Sequence, residues 1–221
     1  MKLSKIRKYH FRTLLVLVWQ KVFYDVVCRY VFFLRIFYKT RSTQTPITFS
    51  MWFRQKVLGK NYEAYYPVHK SSTVTNIRNI IAGVEVSPGY SHGCYIQGMG
   101  KIEIGDYTQI APNVGIISAN HELTDNRKHV VKSVKIGKYC WLGMGAVILP
   151  GVVLGDYTVV AAGAIVSKSF PDGYCVIGGN PAKILKTLNK DECVEHKSKY
   201  EYCGYIKKSK FEKYSKRYLN V

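Results

Sequence analysis

Of six histidines, three stand where the chain departs from an otherwise regular pattern: His92 in YSHGC, His121 in SANHELTD and His129 in NRKHV. An imidazole has an ordinary pKa of about 6.5, so it can take a proton from a weak nucleophile at neutral pH. Taken alone, a loop histidine also has a plain reading as a surface residue. As a trio these residues would be a zinc set, but His121 and His129 are eight positions apart rather than four, and His129 lies among Lys, Arg and Asp. No metal is expected on that spacing. The six cysteines form no C-x-x-C pair and no metal-finger spacing, and read as reduced thiols.

The elements that must position His121 follow from periodicity. Val68, Val74, Ile80 and Val86 fall six apart, then Ile104, Ile110 and Ile116, then Ile136, Leu142, Ile148, Leu154, Val160 and Val166. Neither a helix nor a simple alternating strand has that period. Gly or Ala often follows the anchor, as at Gly105, Ala111, Gly137, Gly143, Gly155 and Ala161. A repeat of six predicts a solenoid in which each unit makes one flat face and three units close a triangular turn. His121 sits at the break between Ile116 and Ile136, with an excursion expected over about residues 122–135.

The stretches IAPNVGIISANH, IGKYCWLGMGAVILPGVVLGDYTVVAAGAIVSK and VIGGNPAKIL resemble the hexapeptide-repeat acyltransferases, and among them the galactoside, maltose and capsule or O-antigen O-acetyltransferases. The resemblance covers about residues 68–185. It implies a mainly β fold, a left-handed parallel β-helix with helical N- and C-terminal extensions, assembled as a homotrimer. It implies His121 as general base and acetyl-CoA as donor, laid in a groove between coils of two subunits. Trp141, Gly143 and Met144 would flank the pantetheine arm, Ala162, Ser167 and Lys168 would line its course, and Lys183 would lie near the phosphates. The acceptor pocket is expected from YSHGCYIQGMG and the loop after His121, where Tyr95, Gln97 and Asn120 offer hydrogen bonds suited to sugar hydroxyls and Tyr90 a ring to stack on. A β-helix carbonic anhydrase and a nucleotidyltransferase with a β-helix tail share the repeat. The second lacks a Gly-rich phosphate loop here.

The formal net charge of +19 is uneven. Residues 1–60 hold 13 Lys/Arg against one acid (+12), residues 61–182 hold 9 against 8 (+1), and residues 183–221 hold 11 against 5 (+6). The three blocks read as a basic, aromatic N-terminal helical region, a β-helix domain and a basic C-terminal helical tail expected to cap the last coil. No recognition helix, zinc finger or RNA-binding signature accompanies the charge, so nucleic acid is not expected. Residues 13–39 are rich in apolar side chains, but Lys21, Asp25, Arg29 and Arg35 interrupt them and the longest uncharged run, Thr13–Gln20, is too short to span a bilayer. Spaced i, i+4, i+8, Lys21, Asp25 and Arg29 would share one helical face, with Asp25 pairing both ways. The segment reads either as a helix packed on protein or as an interfacial helix on an anionic membrane. With no convincing signal sequence, the expected location is cytoplasmic, with peripheral membrane contact through residues 1–40. The expected activity is O-acetylation of a sugar of a surface polysaccharide or its lipid-linked precursor. Alternatives are acetylation of a small molecule (serine, a free sugar, an antibiotic) or a non-catalytic trimeric scaffold.

Overall fold

A computed structural model describes residues 11–220. From Thr73 the chain winds through three sheets of parallel strands, each strand pairing with the one a full turn earlier; the rotation is complete from Tyr95 on, and the first coil has no third-face strand between Ile80–Ala82 and Tyr95–Gln97. The anchors stack in register along each face. On the first face Val74, Ile96, Ile116, Ile148 and Val166 align. On the second, Ala82, Ile104, Ile136 and Leu154 align, and Phe170 bridges to the last of them. On the third, Ile110, Leu142, Val160 and Ile177 align. Nearly all of these side chains are buried in one continuous core. Turns can stack this closely only where a corner lacks a side chain: a Cβ on Gly143 would lie 2.6 Å from the Ala162 nitrogen.

One expectation of the six-residue beat needs correcting. Ile80 is buried, but it pairs with Ile102, and Ala82 takes the anchor row with Ile104. The helical turn Ile77–Asn79 adds two residues at that corner and shifts the phase. Extra length collects at this same corner, between the first and second faces. Ile96 and Ile104 are also eight apart, and Ile116 and Ile136 are twenty apart.

The C-terminal region, expected to be helical, has only a 3-10 turn at Lys190–Glu192 before the α-helix at its end. Ala182–Thr187 adds an antiparallel strand to the third face at the last coil. The chain then returns along the corner between the second and third faces, over a stack of Tyr107, Tyr139, Tyr157 and Tyr174 whose ring centroids are 4.9–5.3 Å apart. Lys190 covers Tyr174, Tyr139 donates to the His196 carbonyl, and Tyr107 donates to Glu201. The tail's helix does not cap the last coil as expected: a short hairpin (Tyr202–Cys203 with Ile206–Lys207) and the helix Lys208–Tyr218 close the first-coil end, because Phe211 and Tyr214 pack there against Tyr65.

At the N-terminus, α1 (Phe11–Val22) runs into a π-helical turn, Phe23–Val27, and the helix stops at Tyr30. After a short 3-10 turn, α2 (Arg35–Lys39) and α3 (Phe49–Lys56) follow. The expected pairing of Asp25 with Lys21 and Arg29 does not form. The chain folds back and Arg41 takes the carboxylate at 2.5 Å, while Arg29 lies over Tyr30 and Tyr38. Phe37, Ile47 and Cys28 make a small second core. Buried Gln55 then ties this unit to the β-helix, donating to the carbonyls of Ala64 and Tyr66 and accepting from the Val68 amide and the Tyr205 hydroxyl. The part of the expected interfacial helix at residues 1–10 lies outside the described residues. No helix among the described residues is long and apolar enough to cross a membrane. All six cysteines are free.

Candidate active site

The excursion between Ile116 and Ile136 is a β-hairpin. Ala119–His121 pairs antiparallel with His129–Val131, placing His121 opposite His129. Its base is fastened to the first face by the Ser118 hydroxyl, which donates to the Gln97 carbonyl and accepts from the Gly100 amide, and by the Gln97 side-chain oxygen, which accepts from the Ala119 amide at 3.0 Å. Its tip is closed by Asp125, which accepts from the Arg127 guanidinium and amide. That guanidinium holds the Asp125 carboxyl below its usual range.

At its end, His121 Nδ1 lies 2.5 Å from the backbone carbonyl of Asn126. A carbonyl oxygen only accepts, so Nδ1 carries the hydrogen and, in the neutral ring, Nε2 keeps its lone pair. The His129 ring lies against it with centroids 4.5 Å apart. The tip thus fixes the tautomer that leaves an exposed proton acceptor. His92 pairs instead with His69, 6.2 Å between centroids, and the trio of His92, His121 and His129 does not assemble among the described residues of one chain.

The remaining sequence-derived residues fall into two groups on the prism. Asn120 and His121 leave at the corner between the first and second faces; Ser167 and Lys168 follow Val166 at that same corner further along. Trp141 and Met144 belong to the other side. Trp141 projects from the third face, 55% exposed, and Met144 follows at the corner between the third and first faces, 58% exposed. Ala162 stacks on that corner one coil on, where the Gly163 amide donates to the Met144 carbonyl. Lys183 is exposed on the final strand of the third face, opposite Gly178. Gly143 is buried beneath the next coil, so its role is clearance for the backbone rather than contact with a ligand.

The expected acceptor residues separate too. Tyr95 is exposed on the first face, Asn120 is exposed on the hairpin, and Gln97 gives its side-chain oxygen to the hairpin base. Only Tyr90 shares a cavity with Trp141, a hollow of about 210 Å³ on the third face, and its hydroxyl is committed to the Pro46 carbonyl. The cavity wall includes Gln44 and Thr45 from the N-terminal unit and Gln109, which stands beside Trp141 in the strand register. Sequence reasoning missed Gln44, Thr45, Gln109 and Asn126. Gln109 had a signal, since it precedes anchor Ile110 as Trp141 precedes Leu142. The Asn126 contribution is a main-chain carbonyl and had none.

Residues 133–168 match the family described as bacterial transferase hexapeptide (six repeats). Galactoside O-acetyltransferase of Escherichia coli (strain K12) is 37% identical over 92 residues, 40% of this chain and 45% of that protein. Gamma carbonic anhydrase 2, mitochondrial, of Arabidopsis thaliana is 29% identical over 159 residues, 64% of this chain and 57% of that protein. The chain therefore spans about half the length of the curated relatives it matches. Among solved structures, a galactoside acetyltransferase in complex with coenzyme A superposes with a TM-score of 0.54 at 22% identity, covering 77% of this chain and 86% of that one. The chain resembles the hexapeptide-repeat acyltransferases, and its fold is their left-handed parallel β-helix.

Proposed function

We propose that this protein is an acetyl-CoA-dependent O-acetyltransferase acting on a sugar hydroxyl of a surface polysaccharide or its lipid-linked precursor. The observation that carries the reading is the bond from His121 Nδ1 to the Asn126 carbonyl, which leaves Nε2 free to accept a hydroxyl proton. Nε2 takes that proton as the sugar oxygen bonds to the acetyl carbon, and returns it to the departing thiol sulfur as the carbon–sulfur bond breaks. Transfer is direct, with no acetylated side chain. A positioned base of this kind is worth about 10²–10⁴ in rate.

The donor fits the chain's surface chemistry. Exposed Trp141 and Met144 beside small Ala162 offer an apolar lane for a pantetheine arm, and Lys168 and Lys183 offer cations to phosphates. His121 and Ser167 lie along one corner, whereas Trp141, the 210 Å³ cavity and Lys183 lie on the third face. That division supports a homotrimer in which the hairpin of one subunit faces the third face of the next, with residues 61–182 as the catalytic domain. In the cavity, the side-chain amides of Gln44 and Gln109 with the Trp141 ring suit a sugar, which presents hydroxyls and an apolar ring face. Mass spectrometry of surface glycans with and without the gene tests the acceptor. The reading predicts loss of one acetyl group per modified sugar; an unchanged glycan accompanied by acetylated serine, free sugar or antibiotic contradicts it.

A further inference from the structure

We infer that the N-terminal unit is a peripheral anchor for an anionic bilayer, and that it holds the first-coil end of the β-helix against the lipid. In α1, consecutive residues Leu15 to Trp19 all face solvent, with Trp19 63% exposed. A helix apolar on every side is at home inside a protein or in lipid, and over Leu15–Trp19 this one is left exposed by the described residues. The break after Tyr30 presents a second projection, Phe32 and Phe33, at 81% and 75% exposure. These side chains are not the loose edge of an unformed core. The unit has its own core around Phe37 and is pinned to the β-helix through Gln55.

Charge decides what covers the patch. Between residues 13 and 60 eight Lys/Arg face one acid, Asp25, which Arg41 already neutralises. Lys21, Arg29, Arg35 and Arg54 are exposed among the apolar side chains. The fold then adds a second basic segment that is distant in sequence. The tail runs back along the tyrosine stack to the same end, where Lys39 lies over the Tyr200 ring at 4.9 Å and Lys56 over Tyr205 at 5.4 Å. Lys199 and Lys207 border a hollow there with Lys39, while Lys208 on the same rim is paired with Glu201. A two-fold pairing of this patch with its own copy would bring the same cations to face themselves, and in a trimer the neighbouring β-helix, at +1 over residues 61–182, has no net negative charge to balance them. Aromatic side chains among Lys and Arg instead match the boundary of a bilayer, where apolar groups enter between anionic headgroups. The inference does not depend on the acetyl-transfer reading.

The test is co-sedimentation of the full-length protein with vesicles of phosphatidylcholine alone and of phosphatidylcholine with phosphatidylglycerol. Binding at least ~10-fold stronger to the anionic vesicles, and weakening as salt rises past ~0.15 M, is expected from a screened attraction. Phe32→Ser with Phe33→Ser, and separately Lys21→Glu with Arg35→Glu, should each lower binding ~10-fold or more, because each surface cation alone contributes about fivefold. Circular dichroism should match the parent for both, since neither pair lies in a core. Equal binding to both vesicles, or variants that bind like the parent, would overturn the inference. So would sedimentation velocity showing that Phe32→Ser with Phe33→Ser splits an oligomer while vesicle binding persists, which would make the occupant a second copy. A soluble-acceptor thiol-release assay on the same variants should be unchanged, so failure of the anchor and failure of the enzyme reading remain distinguishable.

Discussion

His121 and its neighbours differ sharply in what they contribute. His121→Ala should fold and melt like the parent, because the ring is exposed, yet lose at least ~10²-fold in kcat as expected for a missing general base. His129→Ala removes only a ring packed against His121 and should cost a few-fold. Asn126→Ala should be nearly neutral, since the contact is made by the main-chain carbonyl. Steady-state kinetics on the three variants checks the order, and comparable losses at His121 and His129, restored by added zinc, would point to a metal site instead. His121 was legible in the sequence because it stands where a strict repeat stops. The carbonyl that sets its tautomer was not, because any residue at position 126 would supply it.

For single elements, one side chain tests the seating of the hairpin and another that of the C-terminal return. Gln97→Leu removes the acceptor for the Ala119 amide at the hairpin base. Its expected effect is a kcat about tenfold lower with KM for the donor unchanged, because the base is misplaced while the donor surface is untouched. Glu201 accepts from Lys208 Nζ and from Tyr107, both at 3.0 Å, and Lys208 with Tyr107 holds its carboxyl below the usual range. A depressed folded pKa gives stability that is present above the ordinary carboxylate range near 4.3 and lost as pH falls through the folded value. The Tm gap between parent and Glu201→Gln should therefore be about one or two degrees at pH 7, as befits a partly exposed pair, and close below about pH 4. The repeat made the coil strands readable, since each anchor buries at a fixed step. It could not foresee the strand Ala182–Thr187 or the return path, because those segments follow the tyrosine stack and last coil rather than any period of their own.

For the whole molecule, the surface division predicts that ligand binding and assembly are linked. Acetyl-CoA at 100 times its Kd should stabilise the folded state by about 2.7 kcal/mol, raising Tm by several degrees, and Lys183→Glu should shrink that shift by placing a like charge near the phosphates. Sedimentation should give three times the 25.2 kDa chain mass. The charge blocks were readable from composition, but their convergence at one end of the prism was not, since it depends on a tail that doubles back over five coils. In the proposed mechanism, Nε2 of His121 draws the proton from a sugar hydroxyl during acetyl transfer. That step is tested most directly by thiol release from acetyl-CoA with a mixed-sugar acceptor pool, comparing the parent with His121→Ala across pH. Acceptor-dependent release is expected from the parent and at least ~10²-fold less from the variant at every pH, with both proteins showing the same acetyl-CoA shift in Tm. Equal release by the two proteins would contradict it.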